Sequence, residues 1–538
     1  MSTEDARLAD EARRWLDAEP DDDVRAELAG LLAGDPAELA SRFAGRLQFG
    51  TAGLRGAIGA GPLRMNRLVV RQAAAGLVDH LLATDPAAAA RGLLIGFDAR
   101  RKSDVFALDT ARVAAARGMR ARLLPRPLPT PVLAWNITEV AAAAGVMVTA
   151  SHNPPADNGY KVYLDTGAQI VPPVDEEISA CIDRVDPTMV PLAAPDDPLI
   201  ERLGEAPVEA YLAAVPRVRL RPDVPGVPVA ATALHGVGGE LLVAAFERAG
   251  LPRPKVVAEQ QLPDPAFPTV AFPNPEEPGA MDLLLALAER SDAAIALAND
   301  PDADRLGVAI PTGAGGWRRL TGDEIGWLLA DHILRHTDGP DRLVVTTLVS
   351  SSLLARMAAD HGVHAEETFT GFKWIAHTVL RHPELRFVFG YEQALGYLVT
   401  DRPLDKDGIT AAVLMAEVAA VAAAEGTTLQ GRLDDLAARY GRYVTAERSV
   451  QMDPADAAAA VRRLQDAPPA EVGGRAVTEV VSYPEANLLR LVLAPAGPGG
   501  APVRLQVRPS GTEPKVKLYG EAVGEDPAPL LDALLTQF

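Results

Sequence analysis

Thr149-Ala150-Ser151-His152-Asn153-Pro154-Pro155 follows an apolar run at 141–148 and precedes Asp157-Asn158-Gly159 and Tyr160-Lys161-Val162-Tyr163. The apolar run reads as a buried strand, Asn158-Gly159 as a tight turn, and 160–163 as a short returning strand. Ser151 is thereby placed where a strand gives out into a loop, with Lys161 at the start of the strand that comes back. The Gly-x-Ser-x-Gly elbow of a hydrolase is absent. His152 is the next residue, so in an extended chain it points away from Ser151 and is a poor base for it. Lys161 is the better partner, and Ser151 is expected to carry a phosphoryl group covalently.

The strand before this stretch belongs to a pattern that recurs along the chain. Residues 93–97 are apolar and lead into Asp98-Ala99-Arg100-Arg101-Lys102-Ser103, a helix, Gly118 and a strand at 121–124. Residues 227–233 lead into Leu234-His235-Gly236-Val237-Gly238-Gly239, a helix, Gly250 and a strand at 255–258. Residues 342–348 lead into Val349-Ser350-Ser351-Ser352, a helix, Gly362 and a strand near Ala365. In each copy a glycine stands just past the helix, where a left-handed cap is expected. Such units imply three similar α/β domains with mostly parallel sheets and helices on their faces. Ligands are expected at loops leaving the carboxyl ends of the strands. Residues 4–47 read as helical, with Pro20-Asp21-Asp22-Asp23 as a break and cap. The last hundred residues alternate strands and two helices, which implies an α+β domain with an antiparallel sheet. The expected domains are 1–210, 211–325, 326–440 and 441–538.

Composition narrows the function classes. A chain of 538 residues with 48% hydrophobic and 23% charged residues is of ordinary globular make-up. A net charge of −20 argues against nonspecific binding to nucleic acid or anionic membranes, while leaving room for a local basic pocket. The single cysteine, Cys181, forms no internal disulfide. Met1-Ser2-Thr3-Glu4-Asp5 lacks the basic and apolar regions of a secretion signal, so a cytoplasmic location is expected. Lysine is confined to Lys102, Lys161, Lys255, Lys373, Lys406, Lys515 and Lys517. Those that survive a bias towards arginine sit where a compact ammonium differs from a planar fork.

Four further stretches carry chemistry. Asn299-Asp300-Pro301-Asp302-Ala303-Asp304-Arg305 follows an apolar strand and turns three carboxylates towards one point, which suits a hard divalent ion. An EF-hand would need Gly and Glu where Arg305 and Pro311 stand. Three such carboxylates repel one another without a cation among them. Arg508-Pro509-Ser510-Gly511-Thr512 joins two strands and offers a guanidinium, hydroxyls and a glycine N–H to one phosphate. The glycine-rich loop Phe49-Gly50-Thr51-Ala52-Gly53-Leu54-Arg55-Gly56 is either a turn or an anion contact through Arg55. Gly371-Phe372-Lys373-Trp374 reads as a loop whose lysine meets a phosphate or sugar hydroxyl, or solvent. In Gly390-Tyr391-Glu392 a carboxylate could accept bonds from vicinal hydroxyls. Asp405-Lys406-Asp407-Gly408 reads as a helix cap.

In this order and spacing the stretches resemble the α-D-phosphohexomutase superfamily, which includes the phosphoglucomutases and phosphomannomutases, over about 47–519. The loops at 49–56 and 370–374 are similar to the branch with the second type of phosphoglucomutase and the phosphopentomutases. The resemblance implies three similar mixed α/β domains around a central cleft plus a C-terminal α+β domain with an antiparallel sheet. It implies that phospho-Ser151 passes its phosphoryl group to a sugar monophosphate and that the bisphosphate reorients and returns its other phosphate. It implies one Mg²⁺ per chain on Asp300, Asp302, Asp304 and an oxygen on Ser151, and a sugar bisphosphate as intermediate and activator. Lys161 would be the acid/base, helped by Arg55 and His152. Arg305 and Lys373 would face the substrate, Glu392 the sugar hydroxyls, and Arg508, Ser510, Gly511 and Thr512 the non-reacting phosphate. The partners implied are small sugar phosphates, without nucleic acid or membrane, for a monomer or weak dimer. Many hexose-specific members carry a serine where Ala394 stands here, after Gln393, so one hydroxyl contact expected of a hexose site is missing. Glucose phosphate is nonetheless the first expectation, with pentose and mannose phosphates, a glucose 1,6-bisphosphate synthase and a non-catalytic sensor behind it.

Overall fold

A computed structural model describes residues 3–49, 53–313, 315–509 and 515–538. The chain divides into two compact units: 1–319 with 396–420, and 320–395 with 421–538.

In the first unit an N-terminal arm of three helices, Thr3–Ala18, Asp22–Ala33 and Pro36–Phe43, precedes a six-stranded mixed sheet. The sheet runs in the order Leu54–Ala57, Asp157–Leu164, Ala144–Val148, Leu93–Phe97, Ala121–Leu123, Ile200–Arg202. The last four are parallel; Asp157–Leu164 is antiparallel to Ala144–Val148 and pairs in turn with Leu54–Ala57. The strands are continuous apolar runs because helices cover both faces. Leu93, Ile95, Val146 and Val148 are fully buried with Phe106, Ala111 and Val78, each large side chain contributing roughly 1.5–3 kcal/mol by leaving water.

A second sheet repeats the scheme with Lys255–Val256, Val229–Thr232 and Ile295–Ala298 parallel and Gly307–Pro311 antiparallel. The apolar helix Gly408–Ala424 begins in this unit, and its Glu417 is buried because Arg219 and the N–H groups of Leu220 and Arg221 bond it at 2.7–2.9 Å.

In the second unit Arg342–Thr347 lies between His364–Thr368 and Arg386–Glu392, all parallel. An antiparallel sheet follows, with Tyr443–Gln451, Lys515–Val523, Val503–Pro509, Leu488–Leu493 and Arg475–Tyr483 side by side and Glu471–Val472 at the edge. Helices Pro454–Asp466 and Ala528–Leu535 pack their apolar faces on it. The three repeated glycines, Gly118, Gly250 and Gly362, have φ of 77°, 70° and 63°, the left-handed cap expected of them. No single described helix is long and apolar enough to cross a membrane.

Two local expectations fail. Asn158-Gly159 is no turn, since both lie inside the strand Asp157–Leu164. The Asn158 amide donates to Arg101 O and Ser103 Oγ, and a Cβ at Gly159 would stand 2.5 Å from Thr149 O. Glycine serves close approach here rather than reversal. Lys373 is not in a loop but in the first turn of Phe372–Arg381, and it is buried.

Candidate active site

Ser151 follows the buried strand Ala144–Val148 and has φ +51°, a left-handed backbone rare for a side-chain-bearing residue. That backbone breaks the alternation of an extended chain. His152 accordingly does not point away: its Nδ1 is 3.3 Å from Ser151 Oγ. Ser151 Oγ donates to Asp300 Oδ2 at 2.7 Å.

Asp300, Asp302 and Asp304 follow the strand Ile295–Ala298 and are buried. The turn is tight because Ala303 takes φ +55°, and Arg305 N–H donates to Asp300 Oδ1 at 3.0 Å. One oxygen from each carboxylate lies within 4.8 Å of the others. Lys161 Nζ donates to Asp302 Oδ2 at 2.8 Å and Asp304 Oδ2 at 2.9 Å. Lys406 Nζ stands 3.3 Å from Asp304 Oδ2, and Arg305 Nε lies 4.0 Å from Asp300 and 3.8 Å from Asp304. Asp302 Oδ1 and Asp304 Oδ1 are buried without a hydrogen-bond partner among the described residues. Buried carboxylate oxygens left this way cost free energy unless a cation takes them up. All-oxygen donors converging on one point fit a hard divalent ion such as Mg²⁺.

The charges sort the three acids. Burial, then Asp302 and Asp304, push Asp300 well above the usual carboxylate range. Asp302 and Asp304 are also raised by burial, and Asp304 by Asp302, but Lys161 acting with Thr130 and Asp300 on the one, and with Lys406 and Arg305 on the other, brings both below the usual range. Burial would lower Lys161, yet those two carboxylates hold it above the ordinary lysine value, protonated. Burial, then Arg305 and Arg55, press His152 well below its ordinary value, so it is a neutral imidazole. Arg55 comes from the strand Leu54–Ala57, paired opposite Gly159, and is lowered by burial and then by Arg305.

The first unit thus brings together Ser151, His152, Lys161, Arg55, the three aspartates and Arg305. Two members were not singled out from the sequence. Thr130 opens the helix Thr130–Glu139 and clasps Asp302, donating through N–H to its carbonyl at 3.0 Å and through Oγ1 to its Oδ2 at 2.6 Å. Lys406 lies in the stretch 405–408, which caps its helix as expected through Asp407, accepting from the N–H groups of Ile409 and Thr410, while Lys406 itself turns to Asp304. The scarcity of lysine was the available signal for Lys406; nothing in the sequence marks Thr130.

In the second unit Glu392 ends the strand Arg386–Glu392, and its Oε1 accepts Gly371 N–H at 3.1 Å. Lys373 Nζ lies 5.3 Å from the Trp374 ring centroid. Arg508 stands on Val503–Pro509 opposite Lys517. Ser510, Gly511 and Thr512, expected to hold phosphate, lie outside the described residues, as do Gly50, Thr51 and Ala52 of the glycine-rich loop.

Comparison with known proteins matches the three α/β/α domains of phosphoglucomutase/phosphomannomutase, I, II and III, to residues 46–189, 209–313 and 321–440. A Haemophilus influenzae protein named "Probable phosphomannomutase" is 41% identical over 88% of this chain and 96% of its own. A human phosphopentomutase is 37% identical over 82% of this chain and 76% of its own. A human glucose 1,6-bisphosphate synthase is 32% identical over 100% and 95%. The crystal structure of a phosphoglucomutase/phosphomannomutase family protein from Burkholderia thailandensis superposes with a TM-score of 0.69, at 22% identity over 91% of this chain and 96% of that one.

Proposed function

The chain belongs to the phosphoglucomutase/phosphomannomutase family and is an isomerase of the phosphohexomutase type, and we propose that it interconverts glucose 1-phosphate and glucose 6-phosphate. The observation that carries the proposal is the 2.7 Å contact of Ser151 Oγ with the acid cluster that Lys161 closes from the other side.

In this reading the working enzyme carries a phosphoryl group on Ser151 Oγ. A sugar hydroxyl oxygen bonds to phosphorus as the Oγ–P bond breaks; protonated Lys161 gives its proton to Ser151 Oγ and takes up the one the hydroxyl loses. The bisphosphate reorients, its other phosphate returns to Ser151 Oγ, and the isomer leaves. Lys161 is the acid/base. His152, beside Oγ, and Arg55 support the reacting group, and Arg305 faces substrate. Asp300, Asp302 and Asp304 hold Mg²⁺, with Ser151 supplying a further oxygen once phosphorylated. Bound there, the ion supplies charge neutralisation to a phosphoryl group, the main requirement of such a transfer. Glu392 takes sugar hydroxyls, Lys373 meets the substrate, and Arg508, Ser510, Gly511 and Thr512 take the idle phosphate. The enzyme acts in the cytoplasm as a monomer or weak dimer and needs no nucleic acid or membrane.

A pentose phosphate is the second reading. Gln393 Oε1 accepts from Ser350 Oγ at 3.2 Å and Ala394 brings no hydroxyl, so fewer groups beside Glu392 read the sugar. The phosphopentomutase relatives support it.

Ser151→Ala should reduce turnover to background, a loss on the order of 10⁴-fold or more, as for other covalent carriers. Chelation should silence the wild type until Mg²⁺ is restored. Turnover by the alanine variant, or activity that survives chelation, would overturn the reading. Coupled assays with glucose, mannose and ribose 1-phosphates and trace bisphosphate decide the sugar.

A further inference from the structure

The loop carrying Ser151 has little to hold it from within. Between Ala144–Val148 and Asp157–Leu164 the backbone bonds that hold it are Asn153 N–H to Ala150 O and Asp157 N–H to Pro154 O, with side-chain bonds from Asn153 Nδ2 to Asp157 Oδ2 and from Ser151 N–H to Thr149 Oγ1. Pro154 and Pro155 bring no N–H. Ser151 itself occupies a left-handed backbone, a conformation that costs a non-glycine residue roughly 1–2 kcal/mol. Something outside the loop must set its shape.

That support comes from the loop after Leu93–Phe97, and it reaches the serine from both sides. Arg100 Nη2 donates to Ser151 O at 2.5 Å and Asn153 O at 2.6 Å, and its Nη1 to Pro154 O at 2.8 Å and Asp157 O at 3.3 Å. On the other side, Ser151 N–H donates to Thr149 Oγ1 at 2.9 Å, and that hydroxyl donates to Asp98 Oδ2 at 2.6 Å. Asp98 and Arg100 face each other, Nε to Oδ2 at 3.4 Å, and Asp98 Oδ1 accepts Arg100 N–H and Ser103 Oγ. Both residues are buried. The guanidinium also lies 5.0 Å from the ring centroid of Phe267, a buried residue of the segment after the second sheet's edge strand, at φ +46°. Four carbonyls met by one planar fork is a task for arginine; lysine has one nitrogen to offer.

We infer that Arg100, seated by Asp98 and Phe267, is the positioning residue of the phosphoryl transfer: it fixes where Ser151 Oγ, and hence phosphorus, stands. It touches neither substrate nor the reacting atoms. The inference rests on Ser151 being the carrier. Its consequence is a choice between acceptors. Held in one place, the phosphoserine presents its phosphorus in line to a sugar hydroxyl. Released, it is open to hydrolysis: a water oxygen bonds to phosphorus as the Oγ–P bond breaks, Ser151 Oγ takes up a proton from the water, and orthophosphate leaves. Displacing reacting atoms by about 1 Å costs about 10²-fold in rate.

The test compares wild type, Arg100→Lys, Thr149→Val and Ser151→Ala as full-length protein with Mg²⁺, after priming with radiolabelled glucose 1,6-bisphosphate. Counting label per chain gives the number of competent sites, so turnover is expressed per phosphorylated serine and unfolded protein drops out. Arg100→Lys should lower kcat per labelled site about 10- to 100-fold, leave KM nearly unchanged, and raise the share of label released as orthophosphate. Thr149→Val, which frees the N–H side alone, should move both readouts the same way by less. Wild-type turnover per labelled site with an unchanged orthophosphate share in both variants overturns the inference and shows Arg100 to be structural only. Turnover or labelling in Ser151→Ala overturns the carrier reading instead, whatever the Arg100 variant does.

Discussion

The first and third α/β repeats use the same topological position for the same task in different chemical terms. In the first, the loop after Leu93–Phe97 grips the Ser151 loop with a buried ion pair, Asp98 and Arg100. In the third, the loop after Arg342–Thr347 grips the Glu392 loop with hydroxyls. Ser350 Oγ accepts Gln393 N–H at 3.1 Å and donates to Gln393 Oε1, while Thr346 Oγ1 donates to Tyr391 O at 2.9 Å. The middle repeat grips with backbone: Val237 N–H donates to Pro301 O at 2.8 Å, and a Cβ on Gly236 would stand 2.3 Å from Pro301 Cα. The ionic grip holds four main-chain carbonyls and one side chain of its loop, the Thr149 hydroxyl. The neutral grip holds two main-chain groups, Gln393 N–H and Tyr391 O, and one side chain, Gln393, next to Glu392. On the proposed function, the first grip would fix the transfer chemistry and the second would be the one open to adjustment for the sugar.

The most damaging way to test that contrast is Asp98→Asn. It keeps the shape and removes the counter-charge of a buried guanidinium. Breaking one side of a buried pair costs about 3–5 kcal/mol. Denaturant unfolding should show a loss of that size, with turnover falling too. A loss below about 1 kcal/mol, the scale of an ordinary hydrogen bond, would mean the first grip is no more ionic than the third.

The third grip does contain one carboxylate, raised by burial as Asp98 is, but bonded by neutral donors rather than facing a guanidinium. Asp323 Oδ1 accepts Ser351 N–H and the Tyr391 hydroxyl, both at 2.8 Å. Burial pushes its pKa up from 3.8 to about 6, against the pull of those bonds. Protons are therefore held more tightly in the folded state. The stability this contributes is complete below pH 3.8 and is lost as pH rises through about 6. Asp323→Asn keeps the Ser351 and Tyr391 bonds, since both end on one oxygen, and removes the buried charge; the weaker bond from Thr445 is the one it can disturb. The variant should match wild type near pH 4 and exceed it by roughly 2–3 kcal/mol at pH 8, read as a pH-dependent gap in melting temperature. Equal pH profiles would show that the buried charge on Asp323 is no liability.

The legible part of this molecule was what repeats or what carries many donors of one kind. Strand runs, left-handed glycine caps, the aspartate cluster and the C-terminal meander all stand where the residue pattern put them. The failures share one physical cause: a tertiary partner overrode a local rule. Asn158-Gly159 carries a turn signature, yet the glycine is there so that Thr149 O can come close and the asparagine to bond Arg101 and Ser103. His152 was placed by strand alternation, which a left-handed Ser151 cancels. The stretch 405–408 caps its helix as read, through Asp407, but no local rule shows that Lys406 turns to Asp304. Thr130 acts on Asp302, 172 positions away, and Arg100 on the carbonyls of a loop that starts 51 positions away, and spacing along the chain holds no trace of such distances.

Ser350→Ala is the mildest and most selective probe of the contrast. It removes the acceptor of Gln393 N–H and the donor to Gln393 Oε1 without touching a charge or Glu392 itself. The net worth of such bonds is about 1 kcal/mol, a factor of about five. The loop carrying Glu392 should therefore loosen while the phosphoserine cluster, which Ser350 does not help to build, keeps its geometry. The expected result is a KM for sugar phosphate raised about fivefold with kcat and phosphoserine labelling unchanged, and a changed ratio between glucose and ribose 1-phosphates. A fall in kcat at constant KM would place Ser350 with the transfer machinery and end the division between a fixed and an adjustable grip. An unchanged substrate ratio would mean that Gln393 anchors the loop without bearing on which sugar it accepts.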